Sequence, residues 1–465
     1  MKYISTRGTA PILGFEDVLL TGLASDGGLY VPENWPQVSP AAIAGFAGKP
    51  YRDVAIEVIW PYTGGAIARA DFEEMVSAAY TAFEHPAVTP LVQIAENRWV
   101  LELFHGPTLA FKDIAMQLLA LIMDYILARR AEHSTIVVAT SGDTGGAAVE
   151  AFRGRERIDL VILYPAGRVS DVQRRMMTTT GEANIHALEV DGTFDDCQAL
   201  VKAMFTDCNF RDTVKLSGVN SINWARIVPQ ITYYFYAAAN LGAPYRPVSF
   251  TVPTGNFGDI FAGYAAQRMN LAVEKLIIAS NDNDILPRTL ASGIYEKRAV
   301  KATTSPSMDI QVSSNFERLL FEVQSRDAAR VRAQMASLAQ SGRFEVVGGA
   351  HILQKIFAAT TANESDVARS IRQTMATSGY ILDPHTACGV FAAEQNPSAG
   401  SAADVVLATA HPAKFPDAMR EIAGHNAELP TRLAHLMTAK EHTTPIANDL
   451  SAVQGYIRSH SRVLR

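Results

Sequence analysis

The sequence has little cysteine, no excess of positive charge and no long apolar segment. Its three cysteines (Cys197, Cys208 and Cys388) are spread over 465 residues without a CxxC spacing, so we expect no disulfide framework and favour a reducing cytoplasm. The net charge of −6 at pH 7 argues against a general nucleic-acid-binding protein, which would present a basic face. The most apolar segment, residues 115–123, is too short to span a bilayer. We therefore expect a cytoplasmic protein that binds neither nucleic acid nor a membrane.

The composition is typical of a globular protein with a sizeable core. Apolar residues make up 48% and charged residues 19% of the chain, whereas a disordered chain has fewer apolar and more charged residues. At about 150 residues per domain, the length predicts about three domains. The 11 histidines show no HExxH or other ligand spacing, so no metal site is predicted.

Local periodicity predicts an α/β fold. Helical spacing over residues 71–84, together with many turn-forming residues, predicts a mainly helical N-terminal part. From residue 99 onward, short apolar runs rich in β-branched residues alternate with longer amphipathic stretches, which is typical of buried parallel sheets covered by helices. The predicted strands are 99–104, 135–140, 160–164, 185–190, 248–252, 275–279 and 405–408, and the predicted helices are 114–130, 146–152, 195–206, 222–241, 260–270, 327–341 and 363–379.

One loop carries a candidate catalytic lysine. Residues 105–113, HGPTLAFKD, lead into an apolar helical segment, and Lys112 stands where that helix begins. The apolar residues on both sides favour a partly desolvated amine with a lowered pKa, which is what Schiff-base chemistry needs. A solvated lysine beside Asp113 is the alternative.

Two glycine-rich turns follow predicted strands and precede predicted helices. Residues 140–146 (TSGDTGG) and 253–259 (PTGNFGD) would each present backbone N–H groups at a helix N-terminus, where anions bind. The first turn matches neither a nucleotide fingerprint nor GxSxG, so Ser141 is a poor hydrolase nucleophile and a plain capped turn is the alternative. Because α/β sheets bind ligands at the carboxyl ends of their strands, the two turns together predict an anion site.

A fourth loop follows the last predicted strand. Residues 409–415 (TAHPAKF) place the polar side chains of Thr409, His411 and Lys414 near the end of that strand. For His411 a hydrogen-bonded structural role is more common than catalysis.

Six sequence motifs occur along nearly the whole chain. They are GLASDGGLYVP at 22–32, HGPTLAFKD at 105–113, SGDTG at 141–145, NSINWAR at 220–226, GNFGD at 255–259 and TAHPAKF at 409–415. The identity and the order of these motifs resemble those of the threonine synthase family. Its members are pyridoxal-phosphate enzymes of the tryptophan-synthase-β (fold type II) group. The resemblance is to the branch found in many bacteria and fungi.

The resemblance implies how the cofactor is held. Lys112 would bind pyridoxal 5′-phosphate as a Schiff base and, once released by the substrate amine, move protons at the substrate carbons. Residues 255–259 would hold the cofactor phosphate, and Thr409 would face the pyridine nitrogen. Asp143 stands where distant relatives carry asparagine. Because a carboxylate can donate a hydrogen bond only when it is protonated, the contact that Asp143 would make with the cofactor is left open. The cofactor-binding residues implied in this way are Lys112, Asp143, Gly255, Asn256, Phe257, Gly258, Asp259 and Thr409.

The reaction implied is the conversion of O-phospho-L-homoserine and water to L-threonine and phosphate. This small-molecule substrate carries its own phosphate, so it needs an anion pocket besides that of the cofactor. Hydroxyl, amide and cationic side chains suit such a pocket, although a surface helix charge is the alternative for Arg318. The candidates for this pocket are Ser314, Asn315, Arg318 and Lys414. The resemblance implies that the loop with Ser141, Gly142, Thr144 and Gly145 lies against the cofactor and receives the substrate carboxylate.

The architecture implied is two α/β domains with parallel sheets that flank the cofactor, preceded by a mainly helical N-terminal part. The expected division is 1–98 for the N-terminal domain, 99–130 with 219–465 for the large cofactor-binding domain, and 131–218 for the small domain. A monomer or a homodimer is expected.

Two other classes of function remain as alternatives. A serine or threonine dehydratase, or a phospho-lyase, would share the lysine and the phosphate loops, but the motifs at 26–32 and 220–226 favour threonine synthase. A non-catalytic protein that binds a phosphate ligand would have no reason to keep a Schiff-base lysine.

Overall fold

Two β-sheets, one of six strands and one of five, form the centres of the fold in the computed structural model, which describes residues 1–424 and 427–464. The five-stranded sheet is parallel throughout, and the six-stranded sheet is parallel except at one edge. Helices cover both sheets. The α/β class predicted from the strand–helix alternation is therefore confirmed.

The strands of the two sheets lie close to the predicted segments, with additional strands at the sheet edges, and two further antiparallel pairs, β1–β2 and β11–β12, stand apart from them. In chain order they are β1 (Tyr3–Ser5), β2 (Tyr30–Pro32), β3 (Leu91–Ala95), β4 (Arg98–Glu102), β5 (Ser134–Ala139), β6 (Ile158–Pro165), β7 (Ile185–Val190), β8 (Leu216–Ser217), β9 (Val248–Pro253), β10 (Val273–Ser280), β11 (Ile294–Glu296), β12 (Arg343–Glu345), β13 (Phe357–Thr361), β14 (Ala403–Ala408) and β15 (Thr444–Ile446).

The predicted helices are also found, within a few residues at each end. The α-helices are α1 (Phe15–Thr21), α2 (Pro40–Ala44), α3 (Tyr51–Thr63), α4 (Arg69–Thr81), α5 (Lys112–Arg130), α6 (Asp143–Phe152), α7 (Asp171–Thr178), α8 (Phe194–Thr206), α9 (Cys208–Thr213), α10 (Trp224–Asn240), α11 (Gly258–Arg268), α12 (Ile285–Ser292), α13 (Phe316–Val323), α14 (Ala328–Ser341), α15 (Ala350–Gln354), α16 (Glu364–Ser378), α17 (Pro384–Gln395), α18 (Pro416–Ala423) and α19 (Leu450–His460). Short 3₁₀ helices cover Pro306–Met308, Pro412–Lys414, Thr431–Met437 and Arg462–Leu464.

The six-stranded sheet has the order β13-β10-β9-β14-β4-β3. Every residue of its central strands β9 and β14 is buried, because α10 and α11 cover one face and α17 covers the other. In β10, Leu276 and Ile278 enter the core on one face and Ile277 enters the core on the other. The antiparallel edge strand β3 is partly exposed, and its short sequence LVQIA does not alternate between apolar and polar residues, so periodicity did not predict it.

The five-stranded sheet has the order β15-β7-β6-β5-β8 and includes the C-terminal end of the chain. β15 pairs in parallel with β7, and α19 packs on α8 through the buried side chains of Val453 and Ile457. The expected division of the chain puts these residues with the large domain, whereas their hydrogen bonds and buried contacts are with the smaller sheet.

The N-terminal residues pack on the helices that carry the site. Helices α3 and α4 contact α10 and α5, respectively. The rings of Tyr3, Trp35 and Tyr62 surround the indole of Trp224, with ring centroids 5.8–6.1 Å apart. This aromatic cluster fixes the start of α10.

Three features can be stated for residues 1–424 and 427–464. No helix there has both the length and the apolar composition needed to cross a bilayer. No group of three or more histidine, cysteine or acidic side chains is arranged there to hold a metal ion. The three cysteines are free thiols, with Cys197 and Cys388 buried and Cys208 exposed.

Candidate active site

A cleft of about 1590 Å³ lies at the carboxyl ends of the strands. The loops after β9 and β14 reach it together, because these parallel neighbours of the six-stranded sheet end at the same edge. The loop after β5 of the five-stranded sheet reaches it as well. The site residues that line the cleft are Lys112, Arg226, Thr144, Gly255, Asn256, Phe257, Gly258, Asp259, Ser307, Ser314, His385 and Thr409.

Lys112 is the first residue of α5, and hydrogen bonds made by the residues on either side of it fix its position. The Phe111 N–H donates to the Thr409 carbonyl at 2.9 Å. The Asp113 carboxylate accepts from both the backbone N–H and the hydroxyl of Thr108, at 2.7 and 2.6 Å. The Lys112 side chain is only 13% exposed, with Nζ 3.4 Å from Asp143 Oδ2. Burial lowers the pKa of Lys112 although the Asp143 charge opposes this, so the amine has more of the neutral, nucleophilic form than a surface lysine.

Asp143, the first residue of α6, accepts hydrogen bonds on both carboxylate oxygens. Oδ1 accepts from Lys414 Nζ at 2.7 Å and from Gln173 Nε2 at 2.8 Å. Oδ2 accepts from Ser307 Oγ at 3.1 Å, on the side where Lys112 lies. Burial alone would raise the pKa of Asp143, but the charges of Lys414 and Lys112 outweigh it and hold the pKa well below its usual range. Asp143 is therefore an ionised acceptor.

Lys414 is completely buried beside this carboxylate. Besides its ion pair with Asp143, its ammonium donates to the Thr108 carbonyl at 2.8 Å. The structure thus brings Lys414 next to the predicted lysine, but with two of its three donors already bound to the protein.

The glycine-rich loop after β9 leads directly into α11. Phe257, just before the helix, has a left-handed φ of 63°. A Cβ atom on Gly255 would lie 2.5 Å from the Ser307 carbonyl oxygen, so only glycine fits there. The loop is also bound from outside, because the Asn315 backbone N–H donates to the Asn256 carbonyl at 3.0 Å. This rigid turn presents the N-terminus of α11 to the cleft, as an anion site requires.

The Asp259 carboxyl group is turned toward α10. Oδ1 accepts from the hydroxyls of Tyr233 and Tyr234, at 2.5 and 2.9 Å, and Oδ2 is buried without a partner. Burial raises the pKa of Asp259 to about 6, although the two tyrosine hydrogen bonds lower it.

The loop after β5 uses part of its backbone internally. The N–H groups of Gly142 and Gly145 both donate to Thr140 Oγ1 at 2.9 Å, so neither is free for a ligand. Thr144 lines the cleft, and Ser141 is partly exposed beside it. The hydroxyls of this loop are therefore better placed to bind a ligand than its glycine N–H groups.

The structure does not bring Arg318 into the cleft, nor does it leave Arg318 on the surface. Its fully buried guanidinium donates to the carbonyls of Tyr30 at 3.0 Å and Ile222 at 2.6 Å, and to the side chain of Asn315. It also stacks 5.5 Å from the Trp224 ring centroid. Arg318 and Asn315 thus hold neighbouring segments together, whereas Ser314 lines the cleft and donates to Asn256 Oδ1 at 3.3 Å.

Sequence reasoning missed three residues of the site. His385 Nε2 accepts the Ser307 N–H at 3.2 Å, while its Nδ1 is 2.9 Å from Asp383 Oδ1, so His385 fixes the serine that binds Asp143. A single histidine forms no motif with a recognisable spacing. The only indication in the sequence was the segment Asp383-Pro-His385, because aspartate followed by proline is typical of a helix N-terminus. Arg226 also lines the cleft, and its sequence signal was its place in the motif at 220–226.

Comparison with known proteins gives consistent matches over the chain. The family model described as "Threonine synthase N terminus" matches residues 2–80, "Pyridoxal-phosphate dependent enzyme" matches 82–410, and "Threonine synthase, C-terminal" matches 386–457. The threonine synthase of Pseudomonas aeruginosa is 50% identical over 99% of this chain and 98% of its own length. The crystal structure of PLP-bound threonine synthase from Brucella melitensis has a TM-score of 0.97 and 60% identity, covering 99% of this chain and 100% of that one. The yeast threonine synthase structure has a TM-score of 0.92 and 39% identity, covering 99% and 98%.

Proposed function

This chain belongs to the threonine synthase family, a group of pyridoxal-phosphate enzymes, and we propose that Lys112 is the catalytic lysine with which it converts O-phospho-L-homoserine and water to L-threonine and phosphate. The observation that carries the assignment is the position of Lys112. Its amine has a lowered pKa and lines the same cleft as the glycine-rich turn at α11. The dehydratase alternative is not favoured, because the threonine synthase models match residues 2–80 and 386–457, most of which lie outside residues 82–410, the region of the general pyridoxal-phosphate model.

The residues of the cleft fit pyridoxal 5′-phosphate. The closely packed turn at Gly255 leaves the backbone N–H groups at the start of α11 as donors for the cofactor phosphate. Lys112 is the amine that would hold the aldehyde carbon, and Thr409, at the end of β14, would face the ring nitrogen. When bound, the cofactor supplies an electron sink for the negative charge that develops at the substrate Cα.

Lys112 is the group that moves protons. Its amine would act as the general base at the substrate Cα and again at Cβ. Its lowered pKa suits this work, because a base that stayed fully protonated near pH 7 could not accept a proton.

Asp143 orients Lys112 rather than donating to the cofactor. Its pKa lies well below the usual range, so it has no proton to give, and its four neighbours Lys414, Gln173, Ser307 and Lys112 are donors. These contacts support an orienting role for this aspartate, whose contact the sequence left open.

The substrate groups would be bound by hydroxyls around the cleft. Ser141 and Thr144 suit the substrate carboxylate, since the N–H groups of Gly142 and Gly145 are bound to Thr140. Ser314, which lines the cleft, suits the substrate phosphate. Lys414 is buried and paired with Asp143, so it would act on the substrate only through its charge.

We also propose a cytoplasmic location, with small molecules as ligands, no nucleic-acid or membrane partner, and a monomer or homodimer as the assembly. Three free thiols and a net charge of −6 support the location and the absence of a nucleic-acid partner. The domain division at residues 98, 130 and 218 is kept as a proposal, with β15 and α19 added to the small domain because they pack on its sheet.

The test is to measure phosphate and threonine in the same reaction with O-phospho-L-homoserine. We expect equal amounts of both products from the wild type, neither from Lys112→Ala, and both from Lys202→Ala, whose exposed lysine lines the same cleft. Phosphate without threonine would identify a phospho-lyase instead, and product formation by Lys112→Ala would remove Lys112 from its assigned role.

A further inference from the structure

His385 has both ring nitrogens bound to the protein. It is the second residue of α17 and is 2% exposed. Its Nε2 accepts the backbone N–H of Ser307 at 3.2 Å, and its Nδ1 lies 2.9 Å from Asp383 Oδ1. Because a backbone N–H can only donate, Nε2 carries no proton, so the ring proton is on Nδ1 and is donated to Asp383. Asp383 therefore fixes His385 as an acceptor for Ser307.

Ser307 connects His385 to Asp143. While its N–H is bound by the imidazole, its hydroxyl donates to Asp143 Oδ2 at 3.1 Å. Its carbonyl oxygen is 2.5 Å from the place that a Cβ atom on Gly255 would take, so this carbonyl lies against the glycine-rich turn. Three groups of one residue thus meet three parts of the site, and the hydrogen bond to His385 restrains the orientation of the other two.

Asp143 Oδ2 is shared between the Ser307 hydroxyl and Lys112. The Nζ atom of Lys112 lies 3.4 Å from this oxygen, whereas Oδ1 is occupied by Lys414 and Gln173, at 2.7 and 2.8 Å. A hydroxyl that donates to a carboxylate takes up part of its charge and weakens its attraction for a second donor. The attraction that Asp143 exerts on the Lys112 amine therefore depends on whether the Ser307 hydroxyl stays on Oδ2.

Charged groups of both signs act on the Lys112 amine. Burial has the largest effect and lowers the pKa of Lys112, and the charges of Lys414 and Arg226 lower it as well. The Asp143 carboxylate acts in the other direction, through both its charge and its hydrogen bond. The Asp259 carboxyl group is also near, since the charge of Lys112 lowers its pKa. Weakening the hold of Asp143 on the amine therefore favours the neutral form, which is the form that reacts.

We propose that His385 is a positioning residue, which keeps the Ser307 hydroxyl on Asp143 and so leaves the lysine amine of the site free to react. The inference deepens the proposed function and rests on it, since it concerns the lysine to which the reaction is assigned. Without an acceptor at position 385, the N–H of Ser307 is left unbound and its hydroxyl no longer stays on Oδ2. Asp143 then pairs more closely with Lys112, and the amine is held more firmly in its protonated form.

The first experiment measures the reactivity of Lys112 in the cofactor-free full chain. Trace acetylation with acetic anhydride at a series of pH values, quantified by mass spectrometry of the peptide that contains Lys112, gives the pH midpoint of its amine. His385→Leu and Ser307→Ala are expected to raise this midpoint by roughly 0.5–1 pH unit, the equivalent of one lost hydrogen bond. His385→Gln keeps an acceptor oxygen at the end of its side chain and is expected to stay closer to wild type than His385→Leu.

Two controls separate this effect from a general loss of structure. Val390→Ala removes part of a buried core side chain from the same helix but no polar group, so it is expected to lower the free energy of unfolding and leave the midpoint of Lys112 unchanged. Lys202, an exposed lysine that lines the same cleft, is acetylated in the same reaction. Its midpoint is expected to stay constant in every variant.

The second experiment measures the pH profile of kcat with saturating cofactor and O-phospho-L-homoserine. Because kcat reports the groups of the enzyme–substrate complex, its acidic limb is expected to move to higher pH in His385→Leu and Ser307→Ala, in the same direction as the midpoint of Lys112. The KM at the pH optimum is expected to stay within about twofold of wild type, because a positioning residue does not itself bind the substrate.

Three results would overturn the inference. One is an unchanged midpoint of Lys112 in both His385→Leu and Ser307→Ala. The second is an equal shift in Val390→Ala, which would mean that any loosening of α17 has this effect. The third is a rise in KM without a shift of the acidic limb, which would make His385 a substrate-binding residue instead.

Two further outcomes are covered by the design. Should His385→Leu fail to fold, His385→Asn takes its place, because its shorter side chain does not reach the Ser307 N–H. A wild-type chain that forms no threonine would overturn the proposed function itself. The midpoint of Lys112, which is measured without cofactor or substrate, would then still decide whether His385 acts on this amine.

Discussion

Lys414 and Asp143 form a buried ion pair, with Nζ 2.7 Å from Oδ1, that joins the loop after β14 to the first residue of α6. The two residues are 1% and 5% exposed, so water does not screen their attraction. The pair determines the protonation state of Asp143 and thereby the role that this residue can have beside Lys112.

The first prediction concerns the stability of this pair. Lys414→Met leaves the buried carboxylate of Asp143 with Lys112 as its remaining cationic partner, at 3.4 Å, so we expect a loss of about 3–5 kcal/mol in the free energy of unfolding, measured by urea denaturation. The double variant Asp143→Asn/Lys414→Met should lose less than the sum of the two single variants, since it leaves no unpaired charge of this pair. As a control, Arg69→Met breaks an exposed ion pair with Glu57 and should cost less than about 1 kcal/mol. Additive losses would show that the two residues do not stabilise each other.

The second prediction concerns the pH dependence contributed by Asp259. Its pKa is raised from 3.8 to about 6 in the folded chain, so between these values the folded state binds more protons than the unfolded state. The contribution of Asp259 to stability is therefore present below pH 4 and is lost as the pH rises toward 6, by about 1.4 kcal/mol per unit of pKa difference. Asp259→Asn cannot titrate. The unfolding free energy of the wild type minus that of the variant should decrease as the pH rises from 4 to 6. A difference that stays constant over this range would contradict the raised pKa.

The third prediction concerns the glycine-rich turn before α11. Gly255→Ala places a Cβ atom 2.5 Å from the Ser307 carbonyl oxygen, so the turn must shift. We expect a loss of stability of about 1–3 kcal/mol and weaker binding of pyridoxal 5′-phosphate, measured by thermal unfolding and by absorbance titration. Gly455→Ala in α19 meets no atom within 4 Å and should leave cofactor binding unchanged while stabilising by about 0.5–1 kcal/mol. If both variants bound the cofactor equally well, the close packing at Gly255 would not be required for cofactor binding.

The fourth prediction concerns Arg318, which the sequence resemblance placed near the substrate phosphate. Because its guanidinium binds two backbone carbonyls and Asn315, Arg318→Met should destabilise the chain by about 2–5 kcal/mol. The KM of the folded variant for O-phospho-L-homoserine should stay within about twofold of wild type, as its donors do not reach the cleft. A large rise in KM with unchanged stability would restore the substrate role.

Much of the fold could be predicted because its signals are local. The strand predicted at 185–190 is found as Ile185–Val190, and the helix predicted at 114–130 begins two residues earlier, at Lys112. Hydrophobic periodicity and glycine-rich turns are properties of a few consecutive residues, and they do not depend on distant contacts. The edge strands β3 and β15 were missed because they have only five and three residues and are partly exposed, so neither shows a regular alternation.

The sequence by itself determined the α/β class, the family and the order of the loops that meet at the cleft. Only the tertiary structure decided what the charged residues of those loops do. It pairs Lys414 with Asp143 and buries Arg318 against backbone carbonyls, while Arg226 is left without an acidic partner. The reason is that desolvation and charge pairing depend on residues hundreds of positions apart, as with Asp143 and Lys414, and no local pattern records which of them will be neighbours.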